Sequence, residues 1–247
     1  MRASPGCFIT FEGSEGSGKS TQIRRLAVRL RRNGHRVRVT REPGGTPIGR
    51  KIRHLLQFSR AGRAMAAETE LLLFGADRAQ HTRETIGPAL ARGEVVISDR
   101  YADSTTAYQG AGRRLGRGFV ECLNRFATAG LKPRLTFVLD LDPEEGLRRA
   151  RKKTRRTDRM EAQRAAFYRA VRAGFQRLAR TEARRVKRVD ARAGVEEVAA
   201  RVWALLPAKL QKPAPHRERG ARRKRRLDFL ENTPRMKRRS PTLERRT

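Results

Sequence analysis

The alternation of apolar and polar positions divides residues 1–206 into short strand-like runs and longer helix-like segments. Cys7-Phe8-Ile9-Thr10-Phe11 is an apolar run ended by Gly13, the pattern of a strand buried on both faces. Over 20–32 the apolar residues Ile23, Leu26, Ala27 and Leu30 recur at helical spacing, and Asn33-Gly34 closes the segment as a C-cap. A second strand is predicted over 36–40. Pro47 opens a helix that carries Ile48, Ile52, Leu55 and Leu56 on one side. The stretch 66–91 reads as one long helix and 94–98 as the third strand. A helix over 118–129, a strand over 135–139, a helix from Pro143, a helix reaching about Arg184, a strand over 186–189 and a helix over 195–206 complete the order. This alternation predicts a doubly wound α/β domain, a mostly parallel sheet flanked by helices on both faces. The domain is expected over 1–206. After Pro207 prolines and arginines replace the apolar pattern, so 207–247 is expected to be a basic disordered tail.

Charge sharpens this picture. The 247 residues carry a formal net charge of +34, which points to polyanionic or phosphorylated partners. The segment 207–247 holds 15 Lys and Arg against 4 Asp and Glu, so most of the excess lies in the domain itself. Coding bias and phosphate chemistry explain the preponderance of Arg over Lys equally well. Two cysteines, Cys7 and Cys122, suggest neither a disulfide framework nor a zinc site, and a reducing compartment fits. No apolar signal region opens the chain and no run is long enough to span a membrane, so a cytoplasmic location is expected.

Gly13-Ser14-Glu15-Gly16-Ser17-Gly18-Lys19-Ser20 matches the GxxxxGK[ST] pattern, between an expected strand and an expected helix. The glycines let successive backbone N–H groups face phosphate oxygens, and Lys19 adds a point charge for the β- and γ-phosphates. Ser20 would contribute its hydroxyl to Mg²⁺, and Thr21 follows in the first turn of the helix. The segment reads as a nucleoside triphosphate site. No guanine-reading motif is present. The third strand ends in Ser98-Asp99-Arg100-Tyr101, where Asp99 can hold the metal through water and Arg100 an acceptor phosphate.

At this point the chain resembles the thymidylate kinase family, bacterial type. The segments that carry the resemblance are Phe11-Glu12-Gly13, Thr40-Arg41-Glu42-Pro43-Gly44-Gly45-Thr46 and Glu70-Leu71-Leu72-Leu73-Phe74-Gly75-Ala76-Asp77-Arg78. Asp99-Arg100-Tyr101, Ser104-Thr105-Thr106-Ala107-Tyr108-Gln109-Gly110 and Asp158-Arg159-Met160-Glu161 complete them. The resemblance implies transfer of the γ-phosphoryl of ATP to dTMP, and an assembly that is usually dimeric. It implies that Phe74 stacks on thymine and Arg78 bonds its carbonyl edge. Arg41 and Arg100 would grip the acceptor phosphate. Tyr108 would pack where a 2′-hydroxyl would lie, with Thr105 and Gln109 beside base or sugar. Glu12 would face the sugar 3′-hydroxyl and the metal region; a solvated strand-end carboxylate is the competing reading. Without the resemblance Phe74 reads as a core aromatic. His35, His54 and His81 read as surface or helix-end residues, and no nucleophile-and-base pair suggests a covalent intermediate.

The resemblance implies that the basic stretch 148–159, placed between two helices, is a lid over ATP. The phosphate loop lacks a basic residue other than Lys19, so the lid is expected to supply the transferring arginine, with Arg151, Arg155 and Arg156 as candidates. In the tail, Arg222-Arg223-Lys224-Arg225-Arg226 and Lys237-Arg238-Arg239 read as nuclear-import or non-specific nucleic-acid patches. Two rival readings stand beside the kinase. A deoxynucleoside kinase would use the Asp-Arg pair but have less need of several acceptor-phosphate arginines. A catalytically silent nucleic-acid binder would have no need of Lys19, Ser20, Asp99 and Arg100 together.

Overall fold

The computed structural model describes residues 6–59, 62, 64–153 and 163–214. Five strands form one all-parallel sheet in the order β2-β3-β1-β4-β5. They are β1 (Cys7–Glu12), β2 (Val37–Arg41), β3 (Val95–Asp99), β4 (Leu135–Asp140) and β5 (Val186–Asp190). The helices are α1 (Lys19–Arg32), α2 (Pro47–Gln57), α3 (Ala67–His81), α4 (Gly87–Ala91), α5 (Ala102–Thr105), α6 (Arg117–Thr128), α7 (Pro143–Lys153), α8 (Ala165–Thr181), α9 (Val195–Ala204) and α10 (Ala208–Gln211).

Strand alternation sorts the core into two layers. Cys7, Ile9 and Phe11 of β1, with Ile97 of β3 and Phe137 of β4, pack under Ile23, Leu26 and Leu30 of α1 and Val198 and Val202 of α9. The opposite face of the sheet carries Phe8 and Val96, which pack with Ile86 and Tyr101, and Val138, which packs with Tyr108, Tyr168 and Phe175. Further along that face the strands turn polar: Thr10, Glu12, Ser98 and Thr136 are all fully buried. Such a row needs internal partners. Thr10 and Thr136 share a 2.7 Å hydroxyl bond, and Thr136 donates to Asp103 at 3.0 Å.

Local signals act as the chain suggests. Gly34 (φ 80°) ends α1, with Gly34 N donating to Arg31 O at 2.9 Å and His35 N to Leu30 O at 3.0 Å, the Schellman pattern. Thr46 caps α2 by accepting from Gly49 N at 2.9 Å, ahead of Pro47 in the first turn.

Four expectations change. The long helix over 66–91 is three pieces, because α3 passes through a π-helical stretch (Thr82–Ile86) before α4. Helix α2 buries Leu56 but leaves Ile48 and Leu55 exposed, so its apolar stripe is only half used by the core. Residues 148–153 are the last turns of α7, held by Glu145 to Arg148 and Arg149, instead of an open segment between helices. The rest of the expected lid, 154–159, lies outside the described residues. Finally, the folded unit runs to Ala214. In α10, Leu210 is buried, Gln211 donates to the Trp203 and Leu206 carbonyls, and Ala214 N donates to Asn33 O at 2.7 Å. Single apolar residues in a short basic segment give too weak a period to be read as structure. The expected disorder of the tail, from Pro215 on, lies outside the described residues.

Candidate active site

The carboxyl ends of β1, β2 and β3 lie in register, Phe11 and Arg41 both opposite Asp99. This is the edge at which open parallel sheets bind ligands. From β1 the chain enters the phosphate loop through Gly13 (φ 132°), Gly16 (φ 71°) and Gly18 (φ 91°), conformations that favour glycine. At Gly16 a β-carbon would lie 1.9 Å from Gly146 O, so the loop packs directly on the backbone of α7. Lys19 is buried and donates to Gly13 O at 3.0 Å and Ser14 O at 2.8 Å. Burial, and then the Arg100 charge, lower its pKa to about 8. Ser17 Oγ donates to Ser14 O, while Ser20 is exposed at the start of α1 and donates to Asp99 Oδ2 at 3.2 Å. Thr21 is partly buried one residue further along α1. A hydroxyl and a carboxylate converging in the open are hard oxygen donors suited to Mg²⁺. Among the described residues no cluster of three His, Cys, Asp or Glu could hold a metal. An ion here would therefore be shared with phosphate and water.

Arg100 sits at φ 73°, a left-handed conformation that costs a non-glycine residue about 1–3 kcal/mol and persists only where its surroundings enforce it. Here Arg100 N donates to Phe11 O and Arg100 O accepts from Ser98 Oγ. The guanidinium lies over the Tyr108 ring, donates to Ser104 Oγ at 3.2 Å and pairs with Glu15 at 2.7 Å. Tyr108 also donates to Glu15, at 2.8 Å. Glu15 thus takes its backbone from the phosphate loop and sends its carboxylate across to a second pocket.

That pocket is lined by Glu15, Pro43, Gln57, Phe74, Arg78 and Arg100, with Ser104, Thr105, Tyr108 and Gln109 on the facing wall. Phe74 is only partly buried and opens onto the pocket, which sets aside the reading of it as a core aromatic. Arg78 is 1% exposed, and four of its five N–H donors are met. They go to Glu42 (2.9 Å), Thr105 (2.7 Å), Asn124 (3.1 Å) and the Tyr101 carbonyl (3.0 Å), leaving one on Nη2 unmet among the described residues. Thr105 and Gln109 are likewise committed, Gln109 donating to the buried Glu70 at 2.8 Å, so both fix the wall of the pocket.

Glu12 is not a solvated carboxylate. It is fully buried, accepts from Tyr101 N and Ser104 Oγ, and burial with the nearby Asp103 charge raises its pKa. His81 is not a surface residue either. It is fully buried, bonded to Glu42 at 2.9 Å and to Thr40 at 2.6 Å. Both surprises share a cause, since a strand end or helix end is exposed only when no loop covers it. Arg41 is exposed at the end of β2, and Arg151 is exposed on α7. Arg155 and Arg156 lie outside the described residues.

Sequence reasoning missed the side-chain role of Glu15, and it missed Glu42, Ser104 and Asn124. Glu42 and Ser104 stood inside the segments that carried the resemblance. Asn124 stood in no motif, and only the packing of α6 reveals it.

The comparisons with known proteins agree with this geometry. The family model for thymidylate kinase matches residues 11–202. A thymidylate kinase from Geotalea uraniireducens (strain Rf4) is 48% identical over 210 residues, covering 83% of this chain and 98% of that protein. One from Thermomicrobium roseum is 52% identical over 161 residues, covering 65% and 75%. Among solved structures, the thymidylate kinase of Ehrlichia chaffeensis superposes with a TM-score of 0.65 at 33% identity, covering 82% of this chain and 98% of that one. With an all-parallel sheet, a phosphate loop and an arginine-walled second pocket on one edge, the chain belongs to the thymidylate kinase family.

Proposed function

We propose that the chain transfers the γ-phosphoryl group of ATP to dTMP, giving dTDP and ADP, with the donor on the loop 13–21 and the acceptor in the Phe74 pocket. The observation that supports this reading is the bridge from Glu15 in the phosphate loop to Arg100 and Tyr108 in the neighbouring pocket, which would bring donor and acceptor phosphates side by side.

Such a reaction asks the protein to align two anions and offset their combined charge. Lys19 and the loop backbone take the donor phosphates. Ser20 and Asp99 would hold Mg²⁺, which when bound neutralises phosphate charge. Arg100 and Arg41 take the acceptor phosphate, with Arg100 held in place by Glu15 and Ser104. Phe74 stacks on the base, the remaining Nη2 donor of Arg78 reaches its carbonyl edge, and the Tyr108 ring fills the space of a 2′-hydroxyl. Ser104 and Tyr101 lock Glu12 beneath the site, which makes it a support for the pocket floor. The segment 148–159 closes as the lid, with Arg151, Arg155 or Arg156 meeting the transferring group.

Ile48, Leu55 and Phe58, with Leu72 of α3 and Phe119 and Phe126 of α6, expose apolar surface, Phe126 at 73%. Isolated monomers rarely leave that much uncovered, so the assembly is read as a homodimer through this side. The tail from Pro215 onward adds a non-specific electrostatic contact with nucleic acid. None of the described helices is long and apolar enough to cross a membrane. The bacterial relatives favour the cytoplasm over the nuclear reading.

Calorimetric titration of dTMP into wild type, Phe74→Ala and Arg41→Ala tests the acceptor site. Affinity at least tenfold weaker in both variants, with ATP affinity unchanged, is expected. Unchanged dTMP affinity in both would overturn the assignment.

A further inference from the structure

The helical turn that walls the acceptor pocket has a second face. Ser104, Thr105, Tyr108 and Gln109 line the acceptor pocket, whereas Ala102, Asp103, Thr106 and Gly110 line a separate cavity of about 620 Å³ beside α6 and α8. That volume is within the range of small-molecule and cofactor sites.

The lining of the cavity has two characters. Leu115, Val120, Leu131, Pro133 and Leu178 supply apolar wall. Arg125, Lys132 and Arg177 supply three cations. The acidic groups present are already engaged, Glu121 with Arg117 at 2.6 Å and both Asp103 and Glu182 with Arg185 at 2.7 and 3.0 Å. Three cations with no ion pair among the described residues, beside an apolar wall, match a molecule with a ring at one end and phosphate at the other.

The floor of the cavity is tied to the acceptor site. Arg185 grips both oxygens of the buried Asp103, at 2.7 and 2.9 Å, and the adjacent Ser104 bonds both Glu12 and Arg100. Asn124, another lining residue, accepts from Arg78 and donates to Ala102 O. A ligand that shifts Asp103 or Asn124 therefore shifts groups that hold Arg100 and Arg78.

We propose that this cavity is a second ligand site for a small organic phosphate of nucleotide size, and that its occupant changes acceptor affinity through Asp103 and Asn124. The coupling rests on the acceptor-pocket reading; the binding does not. The test fills both substrate pockets with a bisubstrate analogue, adenosine joined to thymidine through a polyphosphate, and then adds dTTP or inorganic triphosphate. Hydrogen exchange and calorimetry follow binding. One dTTP per chain is expected, at least tenfold tighter than inorganic triphosphate, with protection of 128–133 and 177–185. The Lys132→Glu/Arg177→Glu double variant should weaken this at least tenfold while keeping its kcat without dTTP within twofold of wild type. In the same variant the dTTP-induced change in KM for dTMP should shrink at least threefold. No protection of those segments, or dTTP affinity unchanged in the variant, would overturn the site, and an unchanged KM response would overturn the coupling. Failure of the analogue itself to bind would count against the acceptor pocket, while protection of the two segments by dTTP would still decide the second site.

Discussion

Glu15 and Arg100 meet at 2.7 Å, an ion pair that joins the phosphate loop to the turn after β3 with both side chains more than four-fifths buried. Tyr108 completes the contact by donating to the same carboxylate. On the proposed function the pair holds Arg100 ready for the acceptor phosphate, although Glu15 belongs by sequence to the phosphate loop. Glu15→Gln should therefore lower kcat/KM for dTMP about tenfold, in keeping with the loss of one hydrogen bond to a charged group. KM for ATP should stay within twofold. Steady-state kinetics with each substrate varied in turn decide between the two sites.

Arg78 and Glu42 form an ion pair at 2.9 Å in which both side chains are 2% exposed. Removing Arg78 leaves Glu42 buried with only His81 as a side-chain partner among the described residues. Arg78→Met should cost about 3–5 kcal/mol in urea denaturation. The Arg78→Met/Glu42→Gln double variant should recover part of that stability and still bind dTMP poorly. Full recovery of dTMP affinity in the double variant would show that Arg78 serves only the fold.

The close approach of Gly16 to Gly146 makes the phosphate loop and α7 one packed unit. A side chain at Gly16 meets backbone oxygen and an unfavourable positive φ together. Gly16→Ala should destabilise the protein by about 2–4 kcal/mol and weaken ATP at least tenfold. Binding of dTMP by the folded fraction should change less than threefold. Thermal unfolding with and without each ligand measures both effects.

Asp77 is fully buried, and among the described residues only its Oδ1 is bonded, accepting from Gly44 N at 3.0 Å. Burial, and then the Glu42 charge, raise its pKa to about 6. A carboxyl group with a raised folded-state pKa binds its proton more tightly in the native protein than in the unfolded chain. Its contribution to stability is thus most favourable below about pH 4 and declines as pH rises through 6. Relative to wild type, Asp77→Asn should become more stable by about 2–3 kcal/mol between pH 3.5 and 7.5. Urea denaturation of both proteins at the two pH values gives that difference directly. A difference that does not move with pH would contradict the raised pKa.

Much of the fold was legible because parallel strands buried on both faces read as largely apolar runs, as Cys7–Glu12 and Leu135–Asp140 do. Glycine and proline punctuation then fixed the ends of α1 and α2. The π-helical stretch in 82–86 was not legible, since a change of hydrogen-bond register leaves no mark on Thr-Arg-Glu-Thr-Ile, residues that an α-helix accepts equally. Helix α10 was lost in a basic segment with Leu210 as its one buried anchor. Motif segments carried the residues of the pocket beside the phosphate loop, and motif and fold together picked Arg100 from the many arginines. What sequence could not give was direction. The Glu15 side chain turns away from its own loop, and Glu12 and His81 turn inward. Each follows from tertiary neighbours, Arg100 for the first, Ser104 for the second and Glu42 for the third.

The most direct test of the two-anion site is ADP release from ATP and Mg²⁺ with dTMP, dUMP, dGMP, dCMP, UMP and thymidine offered one at a time to wild type, Lys19→Ala and Arg100→Ala. Fastest turnover on dTMP, with loss of at least a hundredfold in both variants, is the expected result. Turnover on thymidine but not on dTMP, or dTMP turnover in Arg100→Ala equal to wild type, would contradict the assignment of an acceptor phosphate to Arg100.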